Sequence, residues 1–340
     1  MSLTVSSSPH LRSPEAVPGL MREVVLALLP ALAASLYFFG MYSLLLVVVS
    51  VATALGTEAA WQKLTHRPLT TGDWSAVITG VLLAFNLPPR APWWLAVVGS
   101  AFAVLIAKQL FGGLGHNFIN PALAGRAFLL ASWPAAMTTW TAPFAARTMA
   151  TPLPLLLPKG QELAGVAPPH YLDLFLGSVP GCLGETSALA LLVGGLYLIW
   201  RRIIDWRIPA FYLGTVAALG WVLGGPHGFF RGDPLYHLLA GGLMLGAFFM
   251  ATDWVTTPVT RKGRVVFAIG CGVITVLIRV YGGYPEGVSY SILLMNLATP
   301  LIDRYTVPRQ FGAVLPARAR VPARGAAAGG SATAGAVEGR

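Results

Sequence analysis

The feature that most constrains this chain is a recurrence of apolar runs, each about one helix long, separated by turn residues or basic residues. They fall at residues 24–39, 41 into the fifties, 76–87, 93–110 and 121–133, and then at 188–200, 208–223, 235–251, 265–281 and 288–302. In hydrocarbon no water is available to pair backbone N–H and C=O groups, so such segments must satisfy them internally, as helices do. Only 11% of the 340 residues are charged, 55% are hydrophobic, and the mean hydropathy is +0.67. A soluble domain carries roughly 25% charged residues. The expected fold is therefore an all-α integral membrane protein of about ten transmembrane helices, and a soluble enzyme is excluded. Several runs are shorter than the ~20 residues of a standard crossing, so some helices must be tilted, extended or broken.

The punctuation carries a direction. Arg12 and Arg22 flank the first run, Lys63 and Arg67 follow the second, and Lys108 ends the fourth. Arg201, Arg202 and Arg207 follow the sixth, Arg261, Lys262 and Arg264 the eighth, and Arg304 and Arg309 the tenth. Counting ten spans, all of these fall on one side, and only scattered charges such as Arg90, Arg147, Lys159 and Arg231 fall on the other. By the positive-inside rule both termini are cytoplasmic, and the Pro-, Thr- and Gly-rich stretch 134–184 is a periplasmic loop. The chain divides into a cytoplasmic segment 1–22, a first helical half 23–133, the loop 134–184, a second half 185–303, and an Ala/Gly/Arg tail 304–340 whose composition predicts disorder. The polar opening stretch, with Pro14 and Pro18, does not have the form of a cleaved signal peptide.

A half-chain periodicity is also present. Gly112-Gly113 closes the fourth run and Gly282-Gly283 the ninth, 170 residues later, and the same offset carries the second run onto the seventh and the third onto the eighth. Five spans per half place the halves in opposite orientation, a 5+5 inverted repeat. Other features point to ordinary roles. The net charge of +10 has no single basic face, so it reads as membrane orientation rather than nucleic-acid binding. Cys182 and Cys271 have no metal-ligand spacing and read as small packing residues, and His116 has no second ligand at metal spacing; no metal site is expected.

The densest polar cluster at a helix start is Gly181-Cys182-Leu183-Gly184-Glu185-Thr186-Ser187. A helix N-terminus presents unpaired N–H groups that suit a phosphate, but on physics alone this is an ordinary N-cap. The segment from Gly184 to Leu191 resembles the flavin-attachment segment of the NqrB/RnfD family, the large membrane subunits of ion-translocating redox complexes. Lys108 to Asn117, Asn120 to Phe128, Ala251 to Pro258 and Tyr281 to Asp303 resemble the same family, and the likeness covers nearly the whole chain except the tail.

The resemblance implies FMN held by a phosphoester bond on Thr186, with Gly184, Glu185 and Ser187 completing the attachment motif. Two positions depart from the family signature: Glu185 stands where alanine is usual, and Leu183 replaces the leading hydroxyl residue. Glu185 beside a phosphate is unfavourable unless its carboxylate turns away or is paired. The resemblance further implies an inner-membrane subunit that passes electrons between the redox centres of A-, B-, C-, E- and G-type partners of an Rnf complex. Electron flow of the ferredoxin:NAD type would be coupled to Na⁺ or H⁺ movement. A flavin transferase acting outside the cytoplasm would load Thr186, and room is left for a second, non-covalent flavin (riboflavin). No dinucleotide fingerprint or iron–sulfur cysteine set lies in the sequence, so NADH and ferredoxin sites belong to partners. Asn120, Arg126, Asp253, Arg279 and Asn296 are polar residues at membrane depth, and such residues are flavin or ion-path candidates. The competing class is a channel or transporter on the same repeat plan without redox chemistry.

Overall fold

The computed structural model describes residues 16–144, 169–223, 229–282 and 286–308. Residues 16–306 belong to one compact unit, and the tail beyond lies almost wholly outside the described residues. Among the described residues, the longer helices and the short Pro234–Leu239 build the bundle. They are α1 (Val17–Phe39), α2 (Met41–Leu64), α3 (Ser75–Phe85), α4 (Trp93–Val104), α5 (Pro121–Ser132), α6 (Ala188–Trp200), α7 (Arg207–Leu223), α8 (Pro234–Leu239), α9 (Arg261–Tyr281) and α10 (Val288–Thr306). Short helices at Pro134–Met137 and Tyr171–Leu176 occupy the stretch read from sequence as one long loop. Residues 145–168 of that loop lie outside the described residues.

Local chemistry sets most boundaries. Gly40, in a left-handed backbone conformation (φ +75°), is the single residue joining α1 to α2. Asn120 caps α5 by accepting from the N–H groups of Ala122 and Leu123, with Pro121 at the first helical position. Ser187 caps α6 through the Ala190 N–H, and Thr260 caps α9 through the Gly263 N–H. Four helices are longer than their apolar runs. α1 begins at Val17, where Leu20 packs on the core and Arg22 lies over the Trp74 ring. α2 runs through Lys63, α9 starts at Arg261, and α10 continues to Thr306. Charged residues can finish a helix at the membrane boundary, where water takes their heads.

Among the described residues, three helices, α1, α2 and α9, are long and apolar enough to cross a membrane by themselves. α3, with 11 residues, spans only about 16 Å. It stops before Leu87-Pro88-Pro89, whose prolines cannot continue a helix. The run at 235–251 is not one helix. It breaks at Ala240–Gly242, with Gly241 at φ +72°, and resumes as Leu243–Leu245 followed by a π-helical turn, Gly246–Met250. A second π turn, Leu105–Gln109, ends α4.

α2 packs on α3 and α4, and α4 on α5; in the other half, α7 packs on α9 and α9 on α10. Across the halves, α1 packs on α6 and α5 on α10. Small residues permit the close contacts: a Cβ at Gly194 of α6 would lie 2.0 Å from the Ala27 carbonyl oxygen of α1. Large apolar side chains such as Val48, Leu196 and Leu294 face outward, as a lipid-facing surface requires. Contacts sort the helix ends into two groups. Glu23 with Arg201, Asp205 with Arg264, and Val259 with Asp303 mark the basic end. Phe38 with Phe144, Tyr42 with Ala91 and Tyr171 with Asp233 mark the other. Of the two glycine pairs 170 residues apart, Gly112 is left-handed (φ +123°) and Gly282 is extended (φ −82°), and Gly283 lies outside the described residues.

Candidate functional site

The chain leaving α3 and the break after α8 both meet the segment before α6. At the end of α3 the Phe85 carbonyl accepts from the Gly184 N–H (2.9 Å) and the Leu87 carbonyl from the Leu183 N–H (3.1 Å). The Cys182 thiol donates to the Asn86 carbonyl (3.3 Å). Residues 182–184 are thus pinned against the chain leaving α3, and Gly184 must be glycine because a Cβ there would lie 2.4 Å from the Phe85 Cβ. On the other side, a Cβ at Gly242, in the break after α8, would lie 2.5 Å from the Glu185 carboxylate.

At this junction Arg126 of α5 is the hub. Its guanidinium donates to the Asn86 side-chain oxygen (2.5 Å) and to Glu185 (3.3 Å), and it pairs with Glu286. The Glu185 carboxylate, buried and adjacent to Thr186, therefore faces Arg126, and its other oxygen accepts from the Cys182 N–H (3.4 Å). The Glu185 charge beside Thr186 is thus paired with a cation. The Cys182 thiol and the two carboxylates lie within 4.8 Å of one another, a spacing that could hold a cation, but the Arg126 guanidinium already supplies the positive charge. Arg279 stabilises the C-terminal end of α8, donating to the carbonyls of His237 (2.6 Å) and Ala240 (3.2 Å), and also reaches the Glu286 carbonyl (3.4 Å). Asn120, besides capping α5, donates to the Met250 carbonyl (3.2 Å). With its amide turned to satisfy both ends, Asn296 accepts from the Asn120 N–H (3.1 Å).

Thr186 is only 2% exposed, on the side of the bundle away from the basic end: its carbonyl packs at Gly177, which also adjoins Phe38. Among the described residues its hydroxyl makes no hydrogen bond, whereas the Ser187 hydroxyl oxygen is engaged as the α6 cap.

Toward the basic end lies a cavity of about 410 Å³ bounded by α1, α3, the ends of α4 and α6, and residues 248–255. Its walls are largely apolar, with Lys108 and Asp253 as charged exceptions and Ser75, Thr79, Asn117, Asn120 and Thr252 as polar ones. Lys108 is 2% exposed and donates to Glu58 (2.8 Å) and to the Ser75 hydroxyl (2.6 Å); Ser75 donates to Asp73 (2.6 Å), and Gln109 also donates to Glu58 (2.6 Å). Asp253 accepts from the Val255 N–H (3.4 Å) and the Thr256 hydroxyl (3.2 Å), so it shapes the turn after the π helix.

Comparison with known proteins shows the family of the chain. A family model described as NQR2, RnfD, RnfE matches residues 4–312. The chain belongs to that family. It is 57% identical over 314 residues to the D-type subunit of the Na⁺-translocating ferredoxin:NAD⁺ oxidoreductase complex of Acetobacterium woodii, covering 92% of this chain and 96% of that one. It is 49% identical over 317 residues (91% and 96%) to the D-type subunit of the proton-translocating ferredoxin:NAD⁺ oxidoreductase complex of Clostridium ljungdahlii. To the D-type subunit of the ion-translocating oxidoreductase complex of Halorhodospira halophila it is 41% identical over 337 residues, covering 90% and 94%.

Of the residues that the sequence marks, Arg126 and Glu185 pair at the junction and Arg279 reaches the Glu286 carbonyl beside it, whereas Asn120 and Asn296 bond each other near Met250, and Asn120 lines the cavity together with Asp253. Sequence patterns did not point to Asn86, Glu286, Gly242 or the Glu58–Lys108 pair. Glu58 was detectable, being an acid inside an apolar run. Asn86 and Gly242 acquire their roles only from distant partners.

Proposed function

We propose that this chain is the D-type membrane subunit of a redox-driven, ion-translocating complex of the ferredoxin:NAD oxidoreductase type. The observation that carries the reading is the near full-length identity to relatives so named. FMN is attached through its phosphate to Thr186, and the chain passes electrons between redox centres of the other Rnf subunits, coupled to Na⁺ or H⁺ movement. When bound, the flavin supplies the electron-carrying ring.

This chain's own residues fit such a group. Thr186 offers a hydroxyl not committed to another hydrogen bond, Ser187 caps the helix, and Arg126 neutralises Glu185, so a phosphate there is not opposed by an acid. A second, non-covalent flavin would take the 410 Å³ apolar cavity, where Lys108, Asn117 and Asn120 offer donors. The orientation that fits puts the basic end, and both termini, in the cytoplasm of an inner-membrane protein, with Thr186 toward the periplasmic flavin transferase. The 5+5 inverted repeat is supported by helix positions about 170 residues apart and by α1–α6 and α5–α10 packing, each the contact of a helix with its own counterpart. The broken helix at 235–251 inside the bundle also suits that plan.

Denaturing gels of the chain, co-expressed with a flavin transferase, test the reading. A fluorescent band is expected, lost in Thr186→Val and kept in Thr186→Ser. A dark wild-type band rejects the redox role; fluorescence that survives in Thr186→Val rejects the site.

A further inference from the structure

Two elements at the basic end place cations where local backbone physics argues against them. α6 ends in a Schellman turn: the Ile203 N–H bonds the Leu198 carbonyl (3.0 Å) and the Arg202 N–H the Ile199 carbonyl (3.0 Å). The residue in the left-handed position of that turn is normally glycine, but here it is Arg202, at φ +59°. α9 opens with Arg261, Lys262 and Arg264 and has no acid in its first turn, although a helix N-terminus favours acids. The positive-inside rule accounts for basic residues somewhere at this end. It does not account for an arginine at a glycine position or for cations at a positive helix end.

Both departures border one cavity of about 740 Å³, lined by Arg202, Arg207, Arg261 and Arg264 with Asp205 as its acid. Arg207 and Arg264 are both engaged by Asp205 (3.1 and 2.9 Å). Arg202 and Arg261 make no side-chain hydrogen bond or ion pair among the described residues. Four cations face one anion. Beside them buried Ile203 and Ile204 form an apolar strip of the wall, next to Thr252 and Thr257, and half-exposed Trp206 and Trp254 also line the cavity. Cations beside an apolar strip, flanked by tryptophans at a helix-end level, match a phosphodiester head with acyl chains against Ile203 and Ile204; a soluble phosphate needs no such strip.

We propose that this cavity is a binding site for the head group of an anionic phospholipid, held chiefly by Arg202 and Arg261. The site shares Ile203, Ile204, Thr252 and Trp254 with the 410 Å³ cavity, so the lipid packs against its wall. The inference requires membrane residence but no flavin, so it stands or falls apart from the redox reading.

The test uses the purified full-length chain in its complex, exchanged into an equal mixture of phosphatidylglycerol and phosphatidylcholine, with retained lipid read by native mass spectrometry. Phosphatidylglycerol should be preferred, and Arg202→Gly with Arg261→Gln should lower that preference about tenfold or more. Glycine suits the turn, so this variant should elute as a single species with an unfolding temperature no lower than wild type's on account of Arg202. Arg202→Lys, which keeps the charge, should retain most of the preference. Equal retention of the two lipids, or a preference unchanged in the double variant, overturns the proposal. So does full displacement of the lipid by inorganic phosphate, which would make this a soluble-phosphate site. Loss of a partner subunit with lipid retention unchanged would assign the arginines to a protein interface instead.

Discussion

A buried charge in this protein is tolerable only because of the partner the fold brings to it. Glu58 and Lys108, 50 residues apart in the chain, are 2.8 Å apart and almost fully buried. Removing one partner leaves an uncompensated charge in a medium that cannot solvate it. Lys108→Met should therefore lower stability by about 3–5 kcal/mol, and adding Glu58→Gln should recover a large part of that loss. Thermal unfolding of the single and double variants in detergent measures the coupling; additive losses would mean the pair is not a unit. The same logic governs Arg126, which answers two carboxylates and an amide at once. Neither partner set could be read from sequence, because pairing here joins residues 40 to 160 positions apart, whereas the presence of ions inside apolar runs could be.

Helix contacts decide which glycines matter. Gly194 of α6 faces the Ala27 carbonyl of α1 with no room for a methyl group, and Gly214 of α7 has open space around its missing Cβ. Gly194→Ala should cost about 1–3 kcal/mol by forcing the helices apart. Gly214→Ala should be neutral or stabilising by up to about 1 kcal/mol through helix propensity. Unfolding midpoints of the two variants distinguish a packing glycine from an incidental one. The connection from α6 to α7 carries a pH response. Partial burial pushes the Asp205 carboxyl up, but the Arg207 N–H and the Arg264 and Arg207 guanidinium groups outweigh it and hold the carboxyl below the ordinary aspartate range. A depressed carboxyl stabilises the fold above the unfolded value of about 3.9 and loses that contribution as pH falls through the folded value. Acidification should thus loosen this connection in hydrogen exchange, and Asp205→Asn should flatten the response.

At the scale of the whole molecule, the two groups of helix ends make a prediction about the membrane. Single cysteines placed at His66, Arg201 and Lys262, in a chain whose native cysteines are both buried, should react with an impermeant reagent from one side only. Cysteines at Arg90 and Asp173 should react only from the other. Labelling of both sets from the same side would refute the paired, oppositely oriented halves. The positions of nearly all the helices were legible, since apolar run length and capping residues act locally. The interruption at 240–242 was signalled locally only by Gly241-Gly242 inside the run 235–251; the close approach of Glu185 to Gly242, from another segment, is a tertiary contact.

Membrane residence, most helix positions, charge asymmetry and the polar segment before α6 all followed from the sequence by itself. They depend on solvent transfer and near-neighbour chemistry, which need no knowledge of distant contacts. The tertiary structure alone decided that Glu185 turns to Arg126, and that the end of α3 and the break after α8 meet there. It also decided that isolated cations from α6 and α9 share one cavity. Charges in a low-dielectric interior are stable only in specific company, and that company is set by how the helices pack.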